Sequence, residues 1–259
     1  YVSKTNTNIK PDHTCMLRHG VENNPNQSFI ACISNIMFYT SKIPNQNIPL
    51  IRKFIPDATN EVPTIEQMKD IIIDSIDIDR FMKYQNGDLI TSFSNISLDI
   101  EIEKYSNSKL YKKITENDNA NKNQKLKFIK RVAQSFETFI MFLKDNSSYI
   151  DYTYLWDIIC EPNSKLFLNG VNLIIFEIPD DDVTNNIELV CPTNHYSNHT
   201  YNSRKNSIII IKRGVYFEPI YTYKKKPIML ENLRSIFYKM ELSQKETRIL
   251  SSVFVNLPN

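Results

Sequence analysis

From residue 150 the hydrophobic pattern of this chain changes, and that change limits the folds open to it. Upstream, apolar residues recur every three or four positions, the spacing of one helix face. Downstream come runs of β-branched and aromatic residues: "NLIIFEI" (172–178), "IELVC" (187–191) and "SIIIIKRGVYFEPIYTY" (207–223). A helical pattern does not sit as a strand, or the reverse. Helices followed by antiparallel strands predict an α+β domain, with a hairpin turning at Arg213-Gly214.

The helical part divides at its own punctuation. A first helix runs from Ser28 to about Tyr39 on Phe29, Cys32, Ile33, Ile36 and Met37. Pro44, Pro49, Pro56 and Pro63 make 43–63 a region of loops and turns. A second helix starts at Thr64, with Gln67 completing a capping box, and continues through "IEQMKDIIIDSIDIDRFMKY" to Asn86-Gly87-Asp88. Residues 89–102 alternate loosely, as strand or loop, and 104–123 read as a solvated linker or mobile loop. A long helix then carries Leu126, Ile129, Val132, Phe136, Phe139, Ile140 and Leu143 on one stripe. "DYTYLWDIICEP" is a short helix capped by Asp151, and "MLENLRSIFYKMELSQKE" a closing helix. Residues 1–19 are polar and order only by docking.

Composition narrows the function. In 259 residues, a 41% hydrophobic content suffices for a sizeable core. A net charge of +2, from 31 basic and 29 acidic side chains, gives the chain as a whole no nucleic-acid footprint. Cys15, Cys32, Cys160 and Cys191 form no CxxC pair, so no zinc site is expected; Cys32 and Cys160 read as buried hydrophobes in a reducing compartment. No apolar run nears the ~18 residues of a membrane span. No metal or cofactor is expected: Asp180-Asp181-Asp182 could hold a divalent cation but reads as an acidic turn in solvent. Lys224-Lys225-Lys226 reads as a solvated strand end. The bias to Ile, Asn and Lys reflects AT-rich coding.

The loop "GVENNPNQ" hands Ser28 to the first turn of a buried helix. Backbone N–H groups there lower a thiol pKa and can build an oxyanion hole. A nucleophile so placed needs a base, usually a histidine from a distant strand, and an acid to orient it. Ser28 can equally be a helix cap, and the two roles are compatible. Cys32, one turn on, is the other nucleophile candidate. His195, in "CPTNHYSNH", is the candidate base, and His19 could also lie near Ser28.

"NQSFIACI" (26–33) is similar to the nucleophile motif of ovarian-tumour (OTU) cysteine proteases, and "GVENNPNQSF" resembles that of ubiquitin-specific proteases. In both, the catalytic cysteine falls on Ser28. "DYTYLWDIICEPNSKLFLNGVNLIIFEI" resembles the OTU helix-then-strand segment, and "SIIIIKRGVYFEPI" its final hairpin, where the histidine falls on Tyr216, the aromatic on Phe217 and the acid on Glu218. The combination is also similar to an uncharacterised domain family of nucleocytoplasmic large DNA viruses. The resemblance covers about 20–40 and 150–223. It implies a single OTU-like domain over 1–259, with a papain-like core at about 13–42 and 150–240 and a helical insertion at about 43–149.

The departures from that pattern set the expected activity. Serine lacks the low pKa of a thiol, and tyrosine, with an unperturbed pKa of ~10, is a poor base at neutral pH. The resemblance therefore implies a catalytically inactive pseudoprotease, without cofactor, acting as a binding or structural module. Its partner would be a viral or host protein, ubiquitin-like tails included, in the host cytoplasm (viral factory) or the virion. The alternatives are an active deubiquitinase-like hydrolase using Ser28 or Cys32 with His195, and a part of viral transcription machinery.

Overall fold

Asn24 accepts a hydrogen bond from the Asn26 N–H and starts a 3-10 turn, Pro25–Gln27, that runs straight into helix α1, Ser28–Ser41. Phe29, Ile30, Cys32 and Ile33 of α1 have no exposed surface, and Ile36, Met37 and Phe38 are nearly as buried. Its polar residues Ser34 and Asn35 are buried too, so α1 sits inside the fold. The protein is described by a computed structural model covering residues 14–21, 24–41, 62–95, 98–115, 121–179, 187–190, 201–224 and 233–235. Of the sequence expectations, His195, Asp180-Asp181-Asp182, Cys191, Lys225, Lys226 and the proline-rich stretch 43–61 lie outside the described residues.

The capping box at Thr64 and Gln67 forms in both directions and starts α2, Ile65–Asp74. The expected long helix breaks after it. The Ser75 hydroxyl donates back to the Ile72 carbonyl, and Asp77 caps a new short helix, α3 (Ile78–Phe81), by accepting from the Arg80 N–H. Serine and aspartate offer the backbone local partners that compete with helix continuation. Gln85, Asn86 and Gly87 all take positive φ and lead into α4, Asp88–Ser92, where strand or loop was expected.

The expected linker 104–123 holds another helix, α5 (Lys109–Thr115). Its first N–H groups, on Lys109 and Leu110, donate to the Asp79 carboxylate 30 residues upstream. The Ser108 hydroxyl accepts from the Tyr111 N–H, so a local and a tertiary cap together satisfy the helix start. The long helix α6 spans Lys122–Lys144, and α7, Tyr152–Cys160, is capped by Asp151 as expected.

The strands are β1 (Thr14–Arg18), β2 (Val171–Ile178), β3 (Glu188–Val190), β4 (Asn206–Arg213), β5 (Tyr216–Lys224) and β6 (Leu233–Ser235). They form one sheet in the order β1-β5-β4-β2-β3, with β6 also paired to β5. Three features differ from the sequence reading. The polar N-terminal region supplies a strand, β1, paired with β5 from Thr14 opposite Lys224 to Arg18 opposite Ile220. The segment read as a closing helix contains β6. The sheet is mixed, because β2 and β4 run parallel, Val171 opposite Asn206 to Ile178 opposite Arg213. Both strands are near-continuous apolar runs, the pattern of parallel strands buried on both faces. Between β4 and β5 the turn is Gly214-Val215, with Gly214 at φ 56 where a type II′ turn needs glycine.

Leu173, Ile175, Ile208, Ile210, Phe217 and Tyr221 face one core, shared with α1, α7 and the helices between residues 65 and 143. The helices expected to form an insertion thus pack into the same core as α1 and the sheet. Ile174, Ile209 and Ile220 form a smaller cluster on the opposite face. The result is a mixed α/β architecture.

Candidate functional site

Ser28 is wholly buried at the start of α1. Its hydroxyl donates to the Pro25 carbonyl at 2.8 Å and accepts from the Phe217 N–H of β5 at 3.1 Å. The proton that a general base would remove is committed to a backbone oxygen. The side chain instead joins the helix-start turn to the last long strand. Phe217 follows it into the core, its ring centroid 5.1 Å from Phe29 and 6.0 Å from Tyr152, both edge-on.

Strand alternation decides where the other two expected residues go. Phe217 faces α1, so Tyr216 and Glu218 take the other face, where Arg213 and Ile211 are their cross-strand partners. There Glu218 meets Arg18 of β1 at 3.3 Å, a half-exposed pair of the kind that contributes about 0–1 kcal/mol. The sequence alignment brings two polar side chains, Tyr216 and Glu218, to Ser28; the structure brings it the backbone N–H of Phe217.

The turn before Ser28 is fastened from outside. Gln27, buried, donates to the carbonyls of Asn146 and Ser148 at 3.1 and 3.0 Å. Asn26 donates from its side chain to the Ser147 carbonyl and accepts from the Ile150 N–H. Beneath this 145–150 loop, Lys69 of α2 is 3% exposed and donates to the Asp145 carbonyl and the Asn146 side chain at 3.1 and 2.8 Å. Burial lowers its pKa, while the charges of Asp145 and Glu66 pull the other way. The Asp145 carboxyl is held down to about 2, first by the Ser148 hydroxyl and then by the backbone and hydroxyl of Ser147. The loop is therefore a preformed cover over the residues that lead into Ser28.

Cys32 is also fully buried, and burial, with the Glu218 charge second, raises its thiol pKa well above the usual value. Reactive thiols sit in exposed, electropositive surroundings; Cys32 has neither. Burial likewise pushes Cys160 up to about 12. The one histidine among the described residues, His19, follows β1 and stands edge-on to Tyr221 at 5.8 Å. It lines an open cleft of about 460 Å³ with Val21, Ala31, Asn35, Pro63 and Ile65. The cleft follows the flank of α1 beyond its first turn, and Ser28 is not part of its wall.

Sequence reasoning missed the Lys69 clamp. A signal existed, since Lys69 falls four residues after Ile65 on the stripe with Met68 and Ile72. The pairing of Asn26 and Gln27 with the 145–150 loop had none, since their side-chain amides reach backbone carbonyls more than a hundred residues away. Among the described residues, no group of His, Cys, Asp or Glu could hold a metal ion, and no helix is long and apolar enough to cross a membrane.

Replacing Ser28 by alanine leaves the Phe217 N–H buried without its acceptor. We expect Ser28→Ala to lower unfolding free energy by about 1–3 kcal/mol, the cost of an orphaned buried donor. Urea denaturation checks this; an unchanged midpoint would mean the bond carries no weight.

No family model, no curated protein and no solved structure matches this chain.

Proposed function

We propose that the chain is a catalytically inactive, OTU-like domain of a large viral protein, working as a binding or structural module in the infected host cytoplasm or the virion. One observation carries the reading: the residue at the nucleophile position is wholly buried, with its hydroxyl bonded to the backbone on both sides. A nucleophile must meet its substrate, and its base must lie within about 3 Å of the proton to be removed. Ser28 meets neither condition among the described residues. The papain-like assignment draws support from the arrangement of an early buried helix whose first turn abuts the final hairpin, with α7 leading into β2. The partner on this reading is a protein, viral or host, with a ubiquitin-like tail as one form.

The rival is an active hydrolase using Ser28 or Cys32. Turnover of a fluorogenic ubiquitin substrate separates the two. We expect none from the native chain, and none from the Ser28→Cys/Tyr216→His double variant, because position 216 faces away from α1. Saturable cleavage by the double variant would mean that the rest of a protease site is intact, and would remove the proposal's main support.

A further inference from the structure

The near-zero net charge of the chain hides a strong local imbalance. Residues 109–131 contain eight of the 31 basic residues and two of the 29 acidic ones, so this segment carries +6 and the remainder −4. The structure turns much of that charge to one kind of surface. On α5, Leu110 is buried and Ile114 half-buried, while Lys109, Lys112 and Lys113 are exposed. On α6, Ile129, Val132 and Ala133 are buried, while Lys127, Lys130 and Arg131 are exposed on the opposite side. The two helices pack against each other. The single acidic residue of α6, Glu137, accepts from Lys104 and the Tyr105 hydroxyl and so is already engaged. Beside the cations Phe128 is 44% exposed, although α6 has an apolar core face available to it.

We propose that the outer faces of α5 and α6 form a cationic platform for the phosphate backbone of single-stranded nucleic acid, with Phe128 as a stacking surface for a base. Lysine-rich cationic surfaces with an exposed aromatic suit such strands, since every phosphate is a charge partner and every base has a stacking face. The predominance of lysine over arginine fits contact with phosphate as a point charge rather than bidentate reading of base edges. A lipid surface is the poorer fit: the apolar stripe of α6 is buried in the core, which leaves a single exposed phenylalanine next to the cations where interfacial helices offer a whole apolar face.

The test is fluorescence anisotropy of a labelled oligothymidylate titrated with the full chain. Binding is expected at about 50 mM salt, with a log–log salt slope of about −3 if some four phosphates are neutralised. Charge reversal by Lys127→Glu, Lys130→Glu and Arg131→Glu together should weaken binding at least about tenfold, as should Phe128→Ala, which alone leaves the salt slope unchanged. Circular dichroism and Tm confirm that these exposed positions leave the fold intact, and Lys109→Glu/Lys112→Glu gives an independent variant on α5. No binding at low salt, binding indifferent to both sets of charge reversals, or stronger retention on phosphatidylserine vesicles or polyglutamate than on the oligonucleotide would overturn the proposal.

Discussion

Phe217→Ala is expected to destabilise the protein by about 3–5 kcal/mol, the range for deleting a buried phenylalanine from a packed core. Phe217 is wholly buried and fills the angle between Phe29 of α1 and Tyr152 of α7. The three rings meet edge to face, the arrangement aromatic quadrupoles prefer. Alanine would leave a void that two rings on separate helices cannot both move to close. The backbone N–H of residue 217 would still reach Ser28, so this loss adds to that of Ser28→Ala only in part, since the two sites touch. Chemical denaturation of both single variants and the double variant measures the coupling. A loss below about 1 kcal/mol for Phe217→Ala would contradict the packing described.

Gly170→Ala is the second large effect. Gly170 lies between α7 and β2 at φ 64, a conformation that costs other residues about 1–3 kcal/mol. A Cβ there would lie 2.3 Å from the Cys160 carbonyl oxygen and 3.0 Å from the Pro162 nitrogen, both backbone atoms. Backbone cannot turn aside as a flexible side chain can. The cost should therefore exceed about 3 kcal/mol, beyond the strained dihedral alone. Thermal denaturation followed by circular dichroism checks this, and a shift in Tm of only a degree or two would show that the α7–β2 turn opens without penalty.

What the sequence disclosed follows from how local each signal is. The Thr64–Gln67 box and the Asp151 cap each lie within a few residues, and both form as read. The β4–β5 hairpin was legible because a glycine stands between a β-branched run and an aromatic-rich one, although the turn falls at Gly214-Val215 rather than at Arg213-Gly214. The break between α2 and α3 was overlooked because Ile71, Ile72, Ile73 and Ile76 kept the apolar count high, while Ser75 and Asp77 decided the backbone. Helix α5 has a local cap, Ser108, as well as the distant one, Asp79, but the Lys- and Asn-rich composition around it hid its seven residues. The parallel pairing of β2 and β4 did leave a sign, since the near-continuous apolar runs LIIF and IIII are the pattern of parallel strands buried on both faces, but the order of helices and then strands pointed to an antiparallel sheet.

The candidate site shows the same division. That Ser28 starts a buried helix was readable from the loop and the apolar run behind it. Its partner was misassigned by one residue, and in a strand one residue exchanges the faces. Aligning Tyr216 and Glu218 to a catalytic pair put two polar groups beside α1, whereas Phe217 holds that place. The alternation itself, with Phe217 and Tyr221 as the residues matching the apolar face, was available in the sequence and argues against the aligned pair.

The most direct test of the account is covalent labelling at position 28. The Ser28→Cys variant is incubated with a ubiquitin bearing a C-terminal thiol-reactive group, and adducts are mapped by mass spectrometry. A buried residue covered by the 145–150 loop, with its base position turned to the opposite face of the sheet, predicts no adduct at position 28 or at Cys32 while the protein stays folded. A stoichiometric adduct at position 28 under native conditions would mean that an open protease cleft exists there, and would contradict the account.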